Sequence, residues 1–94
     1  MKQWIILNQR DNVATAVCEI KKNTVLYIQE IKKKIRIKQK TPLGHKFSLE
    51  QIPKNKEILK YGEVIGKATR EIEEGEHVHI HNVMDPREHP AIQE

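Results

Sequence analysis

Three short stretches of this chain share one pattern. IKKNTVL at 20–26, IPKNKEI at 52–58 and IEEGEHV at 72–78 each read isoleucine, two polar or turn-forming residues, asparagine or glycine, two more residues, then an aliphatic. Asparagine and glycine tolerate positive φ better than other residues, so Asn23, Asn55 and Gly75 are expected at tight reversals between two buried aliphatics. A chain that reverses this often has little room for long elements. The pattern predicts a mainly β fold, a single small domain of short strands threaded by turns. The copies are too few and too unevenly spaced for a solenoid.

Segments between the turns agree. WIIL, VATAV, TVLYI and IRIK are short and rich in β-branched residues. In KIRIKQK, alternation puts Ile35 and Ile37 on one face and Lys34, Arg36, Lys38 and Lys40 on the other, as in a half-exposed antiparallel strand. Ile28, Ile31 and Ile35 also fall at helical spacing, so 25–34 admits a helix, but strand, turn, strand is the preferred reading. SLEQI offers a serine cap at Ser48, so at most one or two short helical turns are expected, one of them before Pro53. Gly62 and Gly66 form a GxxxG in charged surroundings, which suits neither a membrane dimer nor a phosphate loop; backbone bends or close strand approach explain them. The domain is read as 1–83, with 84–94 a tail or linker carrying two prolines.

At 94 residues the chain can build one modest core, and with an aromatic content of 4% aliphatic side chains must fill it. A partner is therefore expected. Charge is segregated: Lys21 to Lys40 holds eight Lys or Arg against Glu30 alone, while Glu71 to the end holds seven acids against Arg87. The basic block reads either as a solvated strand face or as an attractor of anions. No nucleic-acid partner is expected, because Tyr27 is the only aromatic residue in that block and no reader motif is present. No apolar run reaches the roughly 20 residues of a membrane span, and MKQWIILNQRDN is too short in apolar content for a signal peptide, so a cytoplasmic chain with no membrane partner is expected. Cys18, the single cysteine, reads as a buried, inert thiol within VATAVCEI.

The residues with the most chemistry lie in GEHVHIHN. His77, His79 and His81 fall on one face of a strand, about 6.5 to 7 Å from neighbour to neighbour, and Glu76 falls on the other face. His77 and His79 could share a metal ion, whereas a straight strand brings three imidazoles to one ion with difficulty; no complete metal site is expected from this chain alone. Imidazoles also serve as acids and bases near neutrality. In TPLGHKFSL, Pro42 and Gly44 mark a turn, and His45 and Lys46 beside it suit a carboxylate or phosphate, Lys46 as a point charge and His45 as a further donor.

DNVATAV, GHKFSLEQI, ILKYGEVIGKA and GEHVHIHN, in that order, resemble the SAF domain of the altronate dehydratase, galactarate dehydratase and sulfolactate sulfo-lyase family. The closing histidine run is similar to the altronate and sulfo-lyase branches. The resemblance implies a β-clip fold and a small subunit or amino-terminal domain of a lyase that removes water, or sulfite, from a hydroxylated acid. It implies a divalent metal, commonly iron, in the assembled enzyme and none in the isolated chain. The partners it implies are a separate large catalytic subunit and an anionic sugar-acid or hydroxy-acid substrate. On the matching motifs it makes His45 and His79 candidate catalytic groups. Asp11, Asn12, Lys46, Tyr61, His77, His81 and Asn82 become candidate substrate contacts. Since the large domain is not in this sequence, the expected product is the small component of an altronate dehydratase-type hydro-lyase. A sulfolactate sulfo-lyase small subunit and a non-catalytic hydroxy-acid binding module are the alternatives.

Overall fold

A computed structural model describes residues 2–85. It holds nine short strands: β1 (Trp4–Ile5), β2 (Val13–Ala16), β3 (Val25–Ile28), β4 (Lys33–Arg36), β5 (Lys46–Ser48), β6 (Glu57–Lys60), β7 (Glu63–Ala68), β8 (His77–Val78) and β9 (Val83–Met84). They form an antiparallel sheet in the order β1-β2-β5-β8, a β3-β4 hairpin and a sheet in the order β6-β7-β9. No helix occurs among the described residues. The mainly β expectation holds, and residues 25–34 resolve into strand, turn, strand. Ser48 caps no helix; it lies in β5, and its hydroxyl bonds the carbonyl oxygen of Glu50.

The predicted turns are present, with φ of 73° at Asn23, 76° at Asn55 and 84° at Gly75. A fourth copy escaped the sequence pattern: Thr41, Pro42, Leu43, Gly44, His45, Lys46, Phe47, with φ of 85° at Gly44. In all four, the N–H after the positive-φ residue donates three residues back: Thr24 to Lys21, His45 to Pro42, Lys56 to Pro53 and Glu76 to Glu73. Positive φ at the third position is what a type II turn requires.

These four turns pair into two copies of one unit. Ile20 and Thr41 exchange backbone hydrogen bonds of 2.9 and 2.8 Å, and Ile52 and Ile72 exchange two of 2.8 Å. The β3-β4 hairpin grows from the first pair and the β6-β7 hairpin from the second. Asn23 and Thr24 clasp Ile37 as Asn55 and Lys56 clasp Ala68; Gly44 and His45 clasp Ala16 as Gly75 and Glu76 clasp Ser48. His45 and Glu76 thus occupy equivalent stations. Each copy has its own apolar cluster. Ile20, Leu26, Ile28, Ile35, Ile37 and Phe47 centre the first, and Ile52, Ile58, Ile72 and Val78 the second.

Two glycines are fixed by contact. A Cβ at Gly66 would strike Val83 and the Met84 carbonyl, so glycine lets β9 lie against β7, and a Cβ at Gly75 would strike the Arg36 carbonyl. Tyr61 and Gly62, with φ of 55° and 80°, make the two-residue turn of the β6-β7 hairpin, where both residues need positive φ. Cys18 is half-buried against the first cluster, less enclosed than the apolar run suggests, because it lies in the connection after β2.

The two charge blocks meet. Lys33 pairs with Glu74, and Lys38 lies 3.2 Å from Glu73, so acids of the carboxyl-terminal block answer part of the basic one. The expected division at 83/84 falls largely outside the described residues; within them, Val83 and Met84 form β9.

Candidate functional site

The histidine face is made by strand pairing. β5 and β8 run antiparallel with Lys46 opposite Val78 and Phe47 opposite His77, which sets His45 against His79. The His45 and His79 rings stack with centroids 4.1 Å apart, and His77 stacks on both at 5.1 and 5.6 Å. His81 continues the row, 5.2 Å from His77. Nδ1 of His45 lies 2.9 Å from Nε2 of His77. One ring nitrogen from each of His45, His77 and His79 falls within 4.8 Å of the others. The strand run alone offered only His77 and His79 as a pair. The third imidazole comes from the other copy of the unit.

That donor set fits a borderline divalent ion such as iron, cobalt, nickel or zinc: three imidazole nitrogens on half-exposed rings, with no carboxylate among them. Burial and nearby positive charge disfavour protonation of two of the rings. Burial, together with the neighbouring His81, His45, His79 and Lys46, pulls His77 down to about 4. His79 is lowered by burial and by His45, Lys46 and His81. Lys46 is itself lowered by burial and by Lys60, which brings a second ammonium, unmarked by any local sequence signal, to the edge of the site.

Buried polar groups hold this face. Asn82 is 0% exposed. Its Oδ1 accepts the His79 N–H at 2.9 Å, and its amide donates to the His77 carbonyl at 2.9 Å and to Glu76 at 3.5 Å. Glu76 accepts from the Glu73 N–H and pairs with Arg70 at 3.0 Å. Gln39 accepts the His77 N–H at 2.8 Å. Asn82 is therefore placed to orient His77 and His79 from behind; its own amide is taken up within the turn.

The remaining candidates gather elsewhere. Asn12 donates to the Glu57 carbonyl at 3.0 Å and accepts the Leu59 N–H at 2.8 Å, tying the start of β2 to β6. Oδ1 of Asp11 accepts the Gly62 N–H at 2.7 Å, whereas Oδ2 is buried without a hydrogen-bond partner. Tyr61 sits beside Gly62 at the hairpin tip, with Lys60 Nζ 5.0 Å from its ring. Ala16 is the β2 residue bonded to His45, at the opposite end of that strand from Asp11 and Asn12, which precede it. The candidates form two groups; Lys60, beside Tyr61 in the second, is near enough to Lys46 in the first to act on it electrostatically.

Among the described residues no helix is long and apolar enough to cross a membrane. The model of the altronate/galactarate dehydratase SAF domain matches residues 2–86. Altronate dehydratase of Bacillus subtilis is 39% identical over 82 residues, covering 87% of this chain and 16% of that protein. Altronate dehydratase of Escherichia coli is 36% identical over 80 residues, 85% of this chain and again 16% of the relative. A (2R)-sulfolactate sulfo-lyase subunit alpha of Chromohalobacter salexigens is 37% identical over 51 residues, 54% of each chain. The chain thus spans about a sixth of the altronate dehydratases it matches, and it belongs to the altronate/galactarate dehydratase SAF domain family.

Proposed function

We propose that this domain is the small component of a hydroxy-acid lyase of the altronate dehydratase type and supplies one wall of its active site to a larger catalytic polypeptide. The observation that carries the reading is the convergence of His45, His77 and His79 from two strands beside Lys46. Family membership supports it. So does the small share of the altronate dehydratases that the domain occupies.

In this reading His45, His77 and His79 hold the divalent ion. When bound, that ion supplies Lewis-acid polarisation of a substrate oxygen. Lys46, backed by Lys60, draws the carboxylate of the hydroxy acid to the edge of the row. His81, outside the convergent trio, is free to carry a proton between substrate and solvent. Asn82 and Gln39 fix the β8 backbone so that His77 and His79 keep their spacing, the role that hydrogen-bonded groups behind metal ligands play.

The test is turnover of altronate by the assembled enzyme. His45→Ala and His79→Ala are expected to lower it at least about a hundredfold while the complex still forms. Full turnover in both variants overturns the reading. A second substrate, sulfolactate, is favoured by relatives named as subunit alpha of a sulfo-lyase. Parallel assays with the two acids decide between water and sulfite as the leaving group.

A further inference from the structure

At the far end of β2 from the histidines lies a cavity of about 280 Å³. Ile6, Leu7, Ile31 and Leu49 form its apolar walls, Asn8 and Gln9 its neutral polar ones, Asp11 and Glu30 are its two acids, and among the described residues no cationic side chain lines it. Glu30 already accepts hydrogen bonds from Lys2 at 2.7 Å and Trp4 at 3.2 Å. Asp11 is different. It is 8% exposed, one carboxylate oxygen is tied to the Gly62 N–H, and the other has no donor among the described residues. A buried carboxylate oxygen without a donor is costly, and a donor brought from outside recovers that cost. Leu7, 70% exposed, and Ile31, 40% exposed, stand at the same cavity as uncovered apolar surface.

We infer that this cavity is the seat of an arginine side chain carried by the larger lyase polypeptide, with Asp11 as its carboxylate partner and Leu7 and Ile31 packing against its stem. The inference rests on the reading under Proposed function and deepens it by naming the docking contact. Arginine suits the site better than lysine: its guanidinium is weakly hydrated, forks towards a carboxylate, and follows an apolar stem that the leucine and isoleucine walls can cover. A second cavity shares Gln9, Asp11, Ile31 and Leu49, and is edged by Arg10, Lys33 and Lys56. Those cations disfavour a basic side chain there, which confines it to the first cavity.

Two measurements test this. In the first, the full chain is assembled with the large lyase polypeptide and the affinity is measured. Asp11→Asn, which keeps an oxygen for the Gly62 N–H, and Leu7→Lys, at an exposed position, should each weaken assembly at least tenfold, while Lys54→Ala, at an exposed turn position, leaves it unchanged. Normal assembly of both groove variants overturns the inference alone; failure of the wild-type chain to assemble overturns the reading on which it rests as well. In the second, the peptide acetyl-Leu-Arg-Leu-amide is titrated into the labelled chain by NMR. Saturable shifts at the Gly62, Ile31 and Leu49 amides are expected, lost in Asp11→Asn and with citrulline in place of arginine. Equal binding of the citrulline peptide, shifts confined to the histidine face, or a wild-type self-association abolished by Leu7→Lys would each overturn the assignment.

Discussion

Nδ1 of His45 and Nε2 of His77 face each other at 2.9 Å across the β5-β8 pair, a hydrogen-bond distance between two nitrogens that can share only one proton. The row therefore works as a coupled group. Adding a proton to any ring charges it against its stacked neighbours.

The pH response follows. His77, pulled down to about 4 by burial and the surrounding imidazoles and lysine, stays neutral in the folded protein where the unfolded chain takes up a proton near 6.5. The unfolded state binds more protons between those values, so stability is fully present above pH 6.5, falls as pH drops towards 4, and levels off below that. Screening at a half-exposed ring limits the loss to roughly 1 to 2 kcal/mol. Histidine NMR of the EDTA-treated protein, with urea unfolding at several pH values, checks this; a His77 midpoint near 6.5 would contradict it.

Metal uptake should divide the four histidines. The EDTA-treated chain is expected to bind one equivalent of cobalt or zinc by calorimetry. Truncating His45 or His79 should weaken binding by about tenfold or more, and His81→Ala should change it little, since His81 lies outside the convergent trio. Equal losses in all three variants would mean that the ion is not held by that trio.

Two glycines with nearly the same φ should respond differently to one methyl group. Gly44 has nothing within 4 Å of an added Cβ, so Gly44→Ala costs only the left-handed backbone term, about 1 to 2 kcal/mol. At Gly75 the same carbon meets the Arg36 carbonyl, and the loss should be roughly 3 kcal/mol or more. Urea unfolding of the two variants gives the comparison directly.

Asn82→Ala removes three hydrogen bonds from a fully buried amide and leaves the His77 carbonyl and His79 N–H without their partner. A loss of roughly 2 to 3 kcal/mol is expected, seen as a lower melting temperature. The variant should also weaken cobalt binding although Asn82 lies outside the histidine trio. Unchanged metal affinity would show that the turn does not orient the imidazoles.

The turns were legible in the chain because positive φ selects Asn and Gly locally. The fourth copy hid because Thr41 and Phe47 stand where the others carry aliphatics, although Thr41 is as buried as Ile20. The histidine trio was only half legible. Alternation put His77 and His79 on one face, but the arrival of His45 depends on the β5-β8 register, which no pattern within either segment specifies. Asn12 and Asn82 stood out in sequence through the family motifs, as candidate substrate contacts; only the packed turns around them reveal that both are buried and that their amides hold backbone groups.

His45 closes the last turn of the first copy, and His77 and His79 follow the last turn of the second. A chain with one copy folded and the other open therefore has no trio at all. An ion held by those three imidazoles, as proposed above, would report that both halves have formed and docked.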